Sequence, residues 1–475
     1  MLRLGCGAGF SSDRLEPAID LARDGRLDYL VFETIGERTL AFGHRDRKLD
    51  PTRGYNPQLA ARMRGVLAHC RANKTRIVTN MGVANVAAAA EVTIAIAREL
   101  GLRGLKVATV EGDDVTTMMS PATVLFDYGN RTIAEVGRPV VGANVYLGVD
   151  AILPALQTGA EVVITGRVAD PSLFLSPLVH HYGWKLDDWP LLGRGTLAGH
   201  LMECGMQITG GYYADPGFKD VPRVADCGYP IAEVAADGNM TITKLASAGG
   251  MVSTRTVKEQ LLYEVHDPAA YLTPDVTADF SGVRLADRGQ NRVEVTGASG
   301  TARPQTLKVT VGFDGGYLGE GGISYAGPNA IARATLARDI LADRLGRHAG
   351  FPESLRLDLI GVDSLHQTAL GGPAPGGRLS AGVSPGAMIA GPAPGGRLPA
   401  GESPGAMISD IRVRVAMRST DRTAIETMLW EVESLLCCGP AGGGGYRGQI
   451  SPSVITHSAL IDRNLVSPTV KVLVA

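Results

Sequence analysis

The sequence predicts an α/β protein: a largely parallel sheet with flanking helices in the N-terminal part, followed by an α+β part with mixed or antiparallel strands. Three observations predict it. Five apolar runs in the first third of the chain, LDYLVFETIGERT, RIVTNMGVAN, LKVATVEGDD, VVGANVYLG and EVVITGRVADPS, each break off into carboxylate, amide or glycine residues. Continuous β-branched runs suit strands covered on both faces, as in a parallel sheet. Helical patterns separate these runs, and after about residue 175 the runs shorten and alternate with Asp, Gly and Pro.

Taken in order, SSDRLEPAIDLARDG reads as the first helix, with Ser11, Ser12 or Asp13 able to cap it and Gly25 to stop it. NPQLAARMRGVLAHCRANK, NVAAAAEVTIAIARELGLRG and VDAILPALQTGA read the same way, each followed by a strand. Strand, helix, strand at this spacing implies right-handed crossovers and a parallel sheet. The division expected is a parallel α/β domain over residues 1–175 and an α+β region over 176–475. The second part starts with a stretch holding Trp184 and Trp189, and passes through TITKLAS, RVEVTGA and TLKVTVGF, which read as short strands. NAIARATLARDILADRLGR and RTAIETMLWEVESLLCCGP read as helices, and LRLDLIGVDSL and DIRVRVAMRS as strands. Between them GPAPGGRLSAGVSPGAMI (Gly372 to Ile389) recurs as GPAPGGRLPAGESPGAMI (Gly391 to Ile408). Rich in Gly and Pro, this segment at 372–408 reads as a duplicated surface loop.

Composition narrows the function classes. At 475 residues and 45% hydrophobic the chain can bury a large core. A formal net charge of -2 gives no electrostatic reason to expect nucleic acid or an anionic membrane as partner, which leaves a small molecule. No secretory or transit peptide is visible, no uncharged stretch is long enough to span a bilayer, and six scattered cysteines make no disulfide framework. A cytoplasmic location is the expectation.

Ligands of such sheets bind beyond the carboxyl ends of the strands. Glu33, Glu37, Asn80, Asn85, Glu111, Asp113, Asp114, Asn144, Arg167 and Asp170 therefore gather along one edge. LGCGAGF reads as a glycine-rich turn in which Gly5, Gly7 and Gly9 admit an anionic ligand at a helix N-terminus, or simply make a tight turn. The spacing is not that of a nicotinamide site. In TGRVADPS, Arg167 can grip a carboxylate or phosphate while Asp170 and Ser172 orient a hydroxyl or cap the next helix. In HLMECGMQITGG, a helix would put His200, Glu203 and Cys204 on one face, as an acid–base pair, a metal site or core. Glu111, Asp113 and Asp114 can share a proton, bind Mg2+ or serve a turn. YLGEGGISYAGPNA reads as a glycine-rich turn carrying Glu320, Ser324 and Tyr325, without a hydrolase elbow. His180 with His181, and Cys437 with Cys438, read as structural.

With these motifs in this order, the chain resembles the AtuA family, named for acyclic terpene utilisation and formerly grouped as a domain of unknown function. LGCGAGFSSDR, LDYLVFETIGERT, TNMGVAN, VEGDDV, TGRVADPSLF, HLMECGMQITGG and YLGEGGISYAG carry the resemblance over about residues 3–330. The resemblance implies a place in catabolism of citronellol and geraniol through coenzyme A thioesters of branched acids. Longer members add a C-terminal ferredoxin-like domain, which this chain, ending at Ala475, is expected to lack.

The expected function is an enzyme that hydrates, dehydrates or hydrolyses an acyl thioester or branched carboxylic substrate. The catalytic candidates are Glu33, Asp113, Glu203 and His200. The substrate-binding candidates are Gly7, Gly9, Asn80, Asn144, Arg167, Asp170 and Ser172. No metal or resident cofactor is expected, coenzyme A entering only as part of the substrate, and a homo-oligomer is compatible with the reading. The alternative is a non-catalytic scaffold or accessory subunit of an acyl-CoA carboxylase pathway.

Overall fold

The computed structural model describes residues 1–347, 355–362 and 410–475, so the repeated segment at 372–408 lies outside the described residues. The chain forms two compact units, Met1–Phe313 with Ile455–Ala475, and Asp314–Val454.

The first unit opens with β1 (Leu2–Ala8), α1 (Glu16–Asp24), β2 (Tyr29–Phe32), α2 (Glu37–Leu49), α3 (Leu59–Asn73), β3 (Arg76–Thr79), α4 (Val86–Glu99) and β4 (Lys106–Glu111). A short hairpin, β5 (Val124–Leu125) and β6 (Arg131–Thr132), and α5 (Ile133–Val136) lead to β7 (Val140–Val145), α6 (Val149–Gln157), β8 (Val162–Thr165), α7 (Asp170–Tyr182) and α8 (Trp189–Glu203). Then come β9 (Pro230–Val234), β10 (Met240–Lys244), α9 (Thr254–Leu262) and the short strands β11 (Tyr271–Leu272), β12 (Thr277–Asp279), β13 (Arg284–Asp287), β14 (Val293–Thr296) and β15 (Ser299–Thr301). The long strand β16 (Thr306–Ala326) gives its first part to this unit and its second to the other.

The principal sheet runs β13-β14-β10-β9-β1-β2-β3-β8-β4-β20, its last member being β20 (Thr469–Val474). β1, β2, β3, β8 and β4 are parallel, while β9, β10, β14 and β13 on one side and β20 on the other add antiparallel. The change of character near residue 175 is thus a change of strand direction within one sheet. Alternation sorts the strands' side chains onto two faces. Leu30, Phe32, Ile77, Val107 and Ile164 pack with Leu21, Met63 and Ile94 of α1, α3 and α4, whereas Tyr29, Val31, Val78, Ala108 and Val163 pack with Ile152, Phe174 and Leu201 of α6, α7 and α8. Both faces are covered, which is why these strands read as unbroken apolar runs.

In the first unit three expectations need correction. VVGANV is a strand, but β7 leaves the parallel sheet and pairs antiparallel with Val309–Phe313 of β16, a partner too distant in sequence for its own pattern to disclose. LGCGAGF is not a turn: Gly5 and Gly7 lie inside β1. A Cβ on Gly7 would overlap the Phe32 ring, so this glycine serves strand packing. Nor do Ser11, Ser12 or Asp13 cap α1, which starts at Glu16 with Pro17 in its first turn and no side-chain cap. Asp13 instead accepts the Gly9 N–H at 2.8 Å.

In the second unit the later part of β16, α10 (Ala330–Gly346), β17 (Arg356–Ile360), β18 (Asp410–Ser419), α11 (Arg422–Cys438) and the first part of β19 (Gly443–Asp462), up to Val454, follow one another. Its sheet runs β17-β18-β16-β19, with β18 antiparallel to β16 and to β17. Ile323, Val413 and Val415 form a core with Ala334, Leu341, Met428 and Val432 of the two helices. Strand–helix–strand taken twice is the arrangement of a ferredoxin-like split unit. The YLGEGGISYAG motif is here a strand rather than a turn: Glu320 accepts Arg414 at 2.7 Å, Ser324 accepts Arg412 at 3.3 Å and Tyr325 is buried.

Among the described residues no helix is long and apolar enough to cross a membrane.

Candidate functional site

The segments that leave β2, β3, β4 and β8 at their carboxyl ends bring most of the expected polar residues together. Asn80, completely buried after β3, fixes the turn after β2: its Oδ1 accepts the Thr34 N–H at 2.8 Å, and its Nδ2 donates to Glu33 Oε1 at 2.8 Å. Glu33 Oε1 also accepts the Ile35 N–H at 2.8 Å. Burial and the neighbouring Asp170 push the Glu33 carboxyl well above the usual range, against the pull of Arg167.

Arg167 lies at the centre. Its backbone N–H donates to Asp113 Oδ2 at 2.7 Å, and its guanidinium donates to the Ile35 carbonyl. The guanidinium also sits 3.9 Å from the centroid of the Tyr146 ring and forms an ion pair with Asp170 at 3.0 Å, without hydrogen-bond alignment. Only 3% of the side chain is exposed. Asp170, the first residue of α7, is one-third exposed, and burial raises its pKa against Arg167.

Asp113 accepts a second bond, from Asn144 Nδ2 at 2.8 Å, and Asn144 Oδ1 accepts His44 Nε2 at 2.5 Å. The segment is clamped to β7 by Val145 N–H to Asp113 O and Val115 N–H to Ala143 O, both at 2.8 Å. Glycine at 166 makes this fit possible, since a Cβ there would overlap the Asp113 carboxylate. Burial pushes Asp113 up to about 6, with Arg167 N–H and Asn144 holding it back. The carboxyl keeps its proton longer in the folded chain than in the unfolded one, where about 3.9 is usual. Its stabilising contribution is therefore complete below about pH 4 and lost as pH rises through 6. Relative to Asp113→Asn, wild-type stability should fall by about 3 kcal/mol across that window and level off above it. Urea midpoints at pH 4, 5, 6 and 7 check this, and a pH-independent difference refutes it.

Glu37 Oε1 accepts the Tyr146 hydroxyl at 2.7 Å and Lys308 Nζ at 3.3 Å. Burial would raise this carboxyl, yet Arg167, Tyr146 and Lys308 together hold it at about 2. Lys308, from β16, also lies 4.9 Å from the Tyr146 ring centroid. Tyr146, Asp170 and Lys308 line a cavity of about 370 Å3 with walls that include Phe126, Leu272, Leu307 and Leu460. A second cavity of about 240 Å3 is lined by Asp113, Asn144, Asn85 and Arg47.

The remaining expected residues are engaged elsewhere. His200 and Glu203 end α8, with His200 Nδ1 3.2 Å from Glu203 Oε1 and Nε2 3.2 Å from the Leu261 carbonyl. That carbonyl can only accept, so Nε2 carries the proton. Burial pushes His200 down to about 4 and Glu203 well up, favouring the uncharged form of each. The pair packs on Tyr271, whose ring is 5.2 Å from that of His200 and which borders the larger cavity. Ser172 donates to Asp275, which also accepts the Val149 N–H. Asn85 caps α4 and holds Pro51 and Arg53 carbonyls. Glu111 pairs with Lys471 at 2.9 Å and Asp114 accepts Thr116, so the three acidic residues of EGDD face different partners. Among the described residues no three His, Cys, Asp or Glu side chains are grouped to hold a metal ion.

His44, Tyr146, Lys308 and Tyr271 belong to this region and escaped sequence reasoning. Tyr146 had a signal, standing two residues beyond Asn144 in the same run. Lys308 and Thr310 share a face of an alternating strand, a pattern equally typical of solvated positions.

A doubly covered α/β sheet with a buried carboxyl, amide and guanidinium network at its carboxyl edge defines the class: an α/β protein with its polar network at the edge where such sheets can receive a ligand. Within that class, the chain belongs to the AtuA family, because the model of the acyclic terpene utilisation family protein AtuA matches residues 2–472. The comparisons with curated proteins and with solved structures give no match.

Proposed function

We propose that the chain is a catabolic enzyme of acyclic terpene utilisation that adds water to, or removes it from, a branched acyl substrate, either a carboxylic acid or its coenzyme A thioester. The observation that carries this reading is the cavity of about 370 Å3 in which apolar walls meet Asp170, Tyr146 and Lys308. Its volume falls within the roughly 300–1,000 Å3 of small-molecule sites. Asp170 is the group that exchanges the proton with water or the substrate carbon, and burial pushes the Glu33 carboxyl behind it well above the usual range.

Hydration and dehydration fit better than hydrolysis through a covalent intermediate. The Ser172 hydroxyl is committed to Asp275, and burial keeps the thiols of Cys6 and Cys204 far above the range in which a thiolate forms.

The test is incubation of the purified chain with branched 2-enoic acids and their coenzyme A thioesters, followed by mass spectrometry and thermal unfolding. Gain or loss of 18 mass units (one water) supports the reading. A chain that neither binds nor converts any of them, yet co-purifies with an acyl-CoA carboxylase subunit, is an accessory protein instead.

A further inference from the structure

We propose that Lys308 is the receptor for a free carboxylate on the substrate and that Arg167 is a positioning residue, which makes the substrate class a small branched carboxylate. The inference rests on the reading of the larger cavity as the substrate site.

The contrast between the two cations carries it. Arg167 is 3% exposed, and its guanidinium is spent on the Ile35 carbonyl, Asp170 and the face of Tyr146. A ligand cannot reach it without displacing these partners. The Lys308 side chain is 40% exposed and lines the cavity, and its ammonium has three donors, of which Glu37 takes one at 3.3 Å and the Tyr146 hydroxyl engages a second. Its place is fixed by backbone as well as side chain: the Tyr146 N–H donates to the Lys308 carbonyl at 2.9 Å, and Thr310, two residues on and on the same face of β16, donates to the Tyr146 hydroxyl at 3.4 Å.

Charge counts in the same direction. Lys308 and Arg167 are two fixed cations, and Glu37, held at about 2, is one fixed anion beside them. Burial pushes Asp170 and Glu33 toward their neutral forms. The cavity wall therefore carries the Lys308 ammonium, a charge that a carboxylate neutralises and a neutral amide does not. The aliphatic walls at Leu272, Leu307 and Leu460 suit the branched remainder of such a molecule.

Calorimetric titration of the full chain with 3-methyl-2-butenoate and with its primary amide tests this. The wild type should bind the acid at least ten times more tightly than the amide. Lys308→Met should weaken the acid by about 10- to 100-fold, the loss of one charge-assisted bond, and leave the amide unchanged. Lys308→Arg should restore acid binding to within a few-fold. Undiminished acid binding by a folded Lys308→Met overturns the inference and leaves the substrate cavity standing. So does a wild type that binds acid and amide alike, a comparison that decides the matter even if the methionine variant does not fold. Failure of the wild type to bind either probe overturns the inference, and the incubation with coenzyme A thioesters decides the reading of the cavity separately.

Discussion

Arg167→Met should destabilise the chain by about 3–5 kcal/mol, the usual cost of removing one member of a buried ionic cluster. The methionine fills similar space but leaves Asp170 facing Glu37 without a counter-charge, and leaves the Ile35 carbonyl without its donor. The carbonyl is one that water reaches poorly, while Asp170 is one-third exposed and meets only part of its penalty. Urea unfolding of the single variant and of Arg167→Met with Asp170→Asn closes the cycle. The double variant should recover part of the loss, because the uncompensated carboxylate is gone. A single-variant loss below about 1 kcal/mol would mean that Arg167 behaves as a solvated surface pair, and the positioning role would fall with it.

If Asp170 moves the proton as proposed, Asp170→Asn is expected to lower kcat by about 100- to 10,000-fold with KM nearly unchanged. The asparagine keeps the shape at the start of α7 and still offers an oxygen to Arg167, so the thermal midpoint should move little. Lys308→Met should do the opposite, raising KM more than it lowers kcat. Steady-state kinetics on one substrate separates the two. Equal loss in KM for both variants would place both residues in binding and leave proton transfer to another group.

Much of this arrangement was legible in the residues themselves. Runs such as YLVF, RIVT and VVIT could only be strands covered on both sides, and the polar residues just beyond them had one edge to occupy. Glu33, Asn80, Asp113, Arg167 and Asp170 gather there for that reason, whereas Asn144 comes from within β7. What stayed hidden follows from information that a local pattern does not hold. The apolar content of β7 names no partner sheet, and its pairing with Val309–Phe313 crosses about half of the first unit's chain. Glycine marks both turns and close packing, so Gly7 in β1 was ambiguous until Phe32 lay against it. Lys308 reaches the site only because β16 pairs with β7. The roles of His200 and Glu203 also depended on a third residue: only the Leu261 carbonyl shows which nitrogen bears the proton.

β20 brings a constraint of timing. Residues 469–474 supply the antiparallel neighbour of β4, and the loop that follows β4 carries Asp113. During synthesis the chain leaves the ribosome N-terminus first, so β1, β2, β3, β8 and β4 emerge long before that neighbour exists. Until it arrives, β4 presents an open edge of unpaired N–H and carbonyl groups, a template for any other extended segment nearby. The nascent polypeptide must therefore be shielded or kept apart from its copies while some three hundred further residues are added, and the sheet is complete only after translation has passed residue 474.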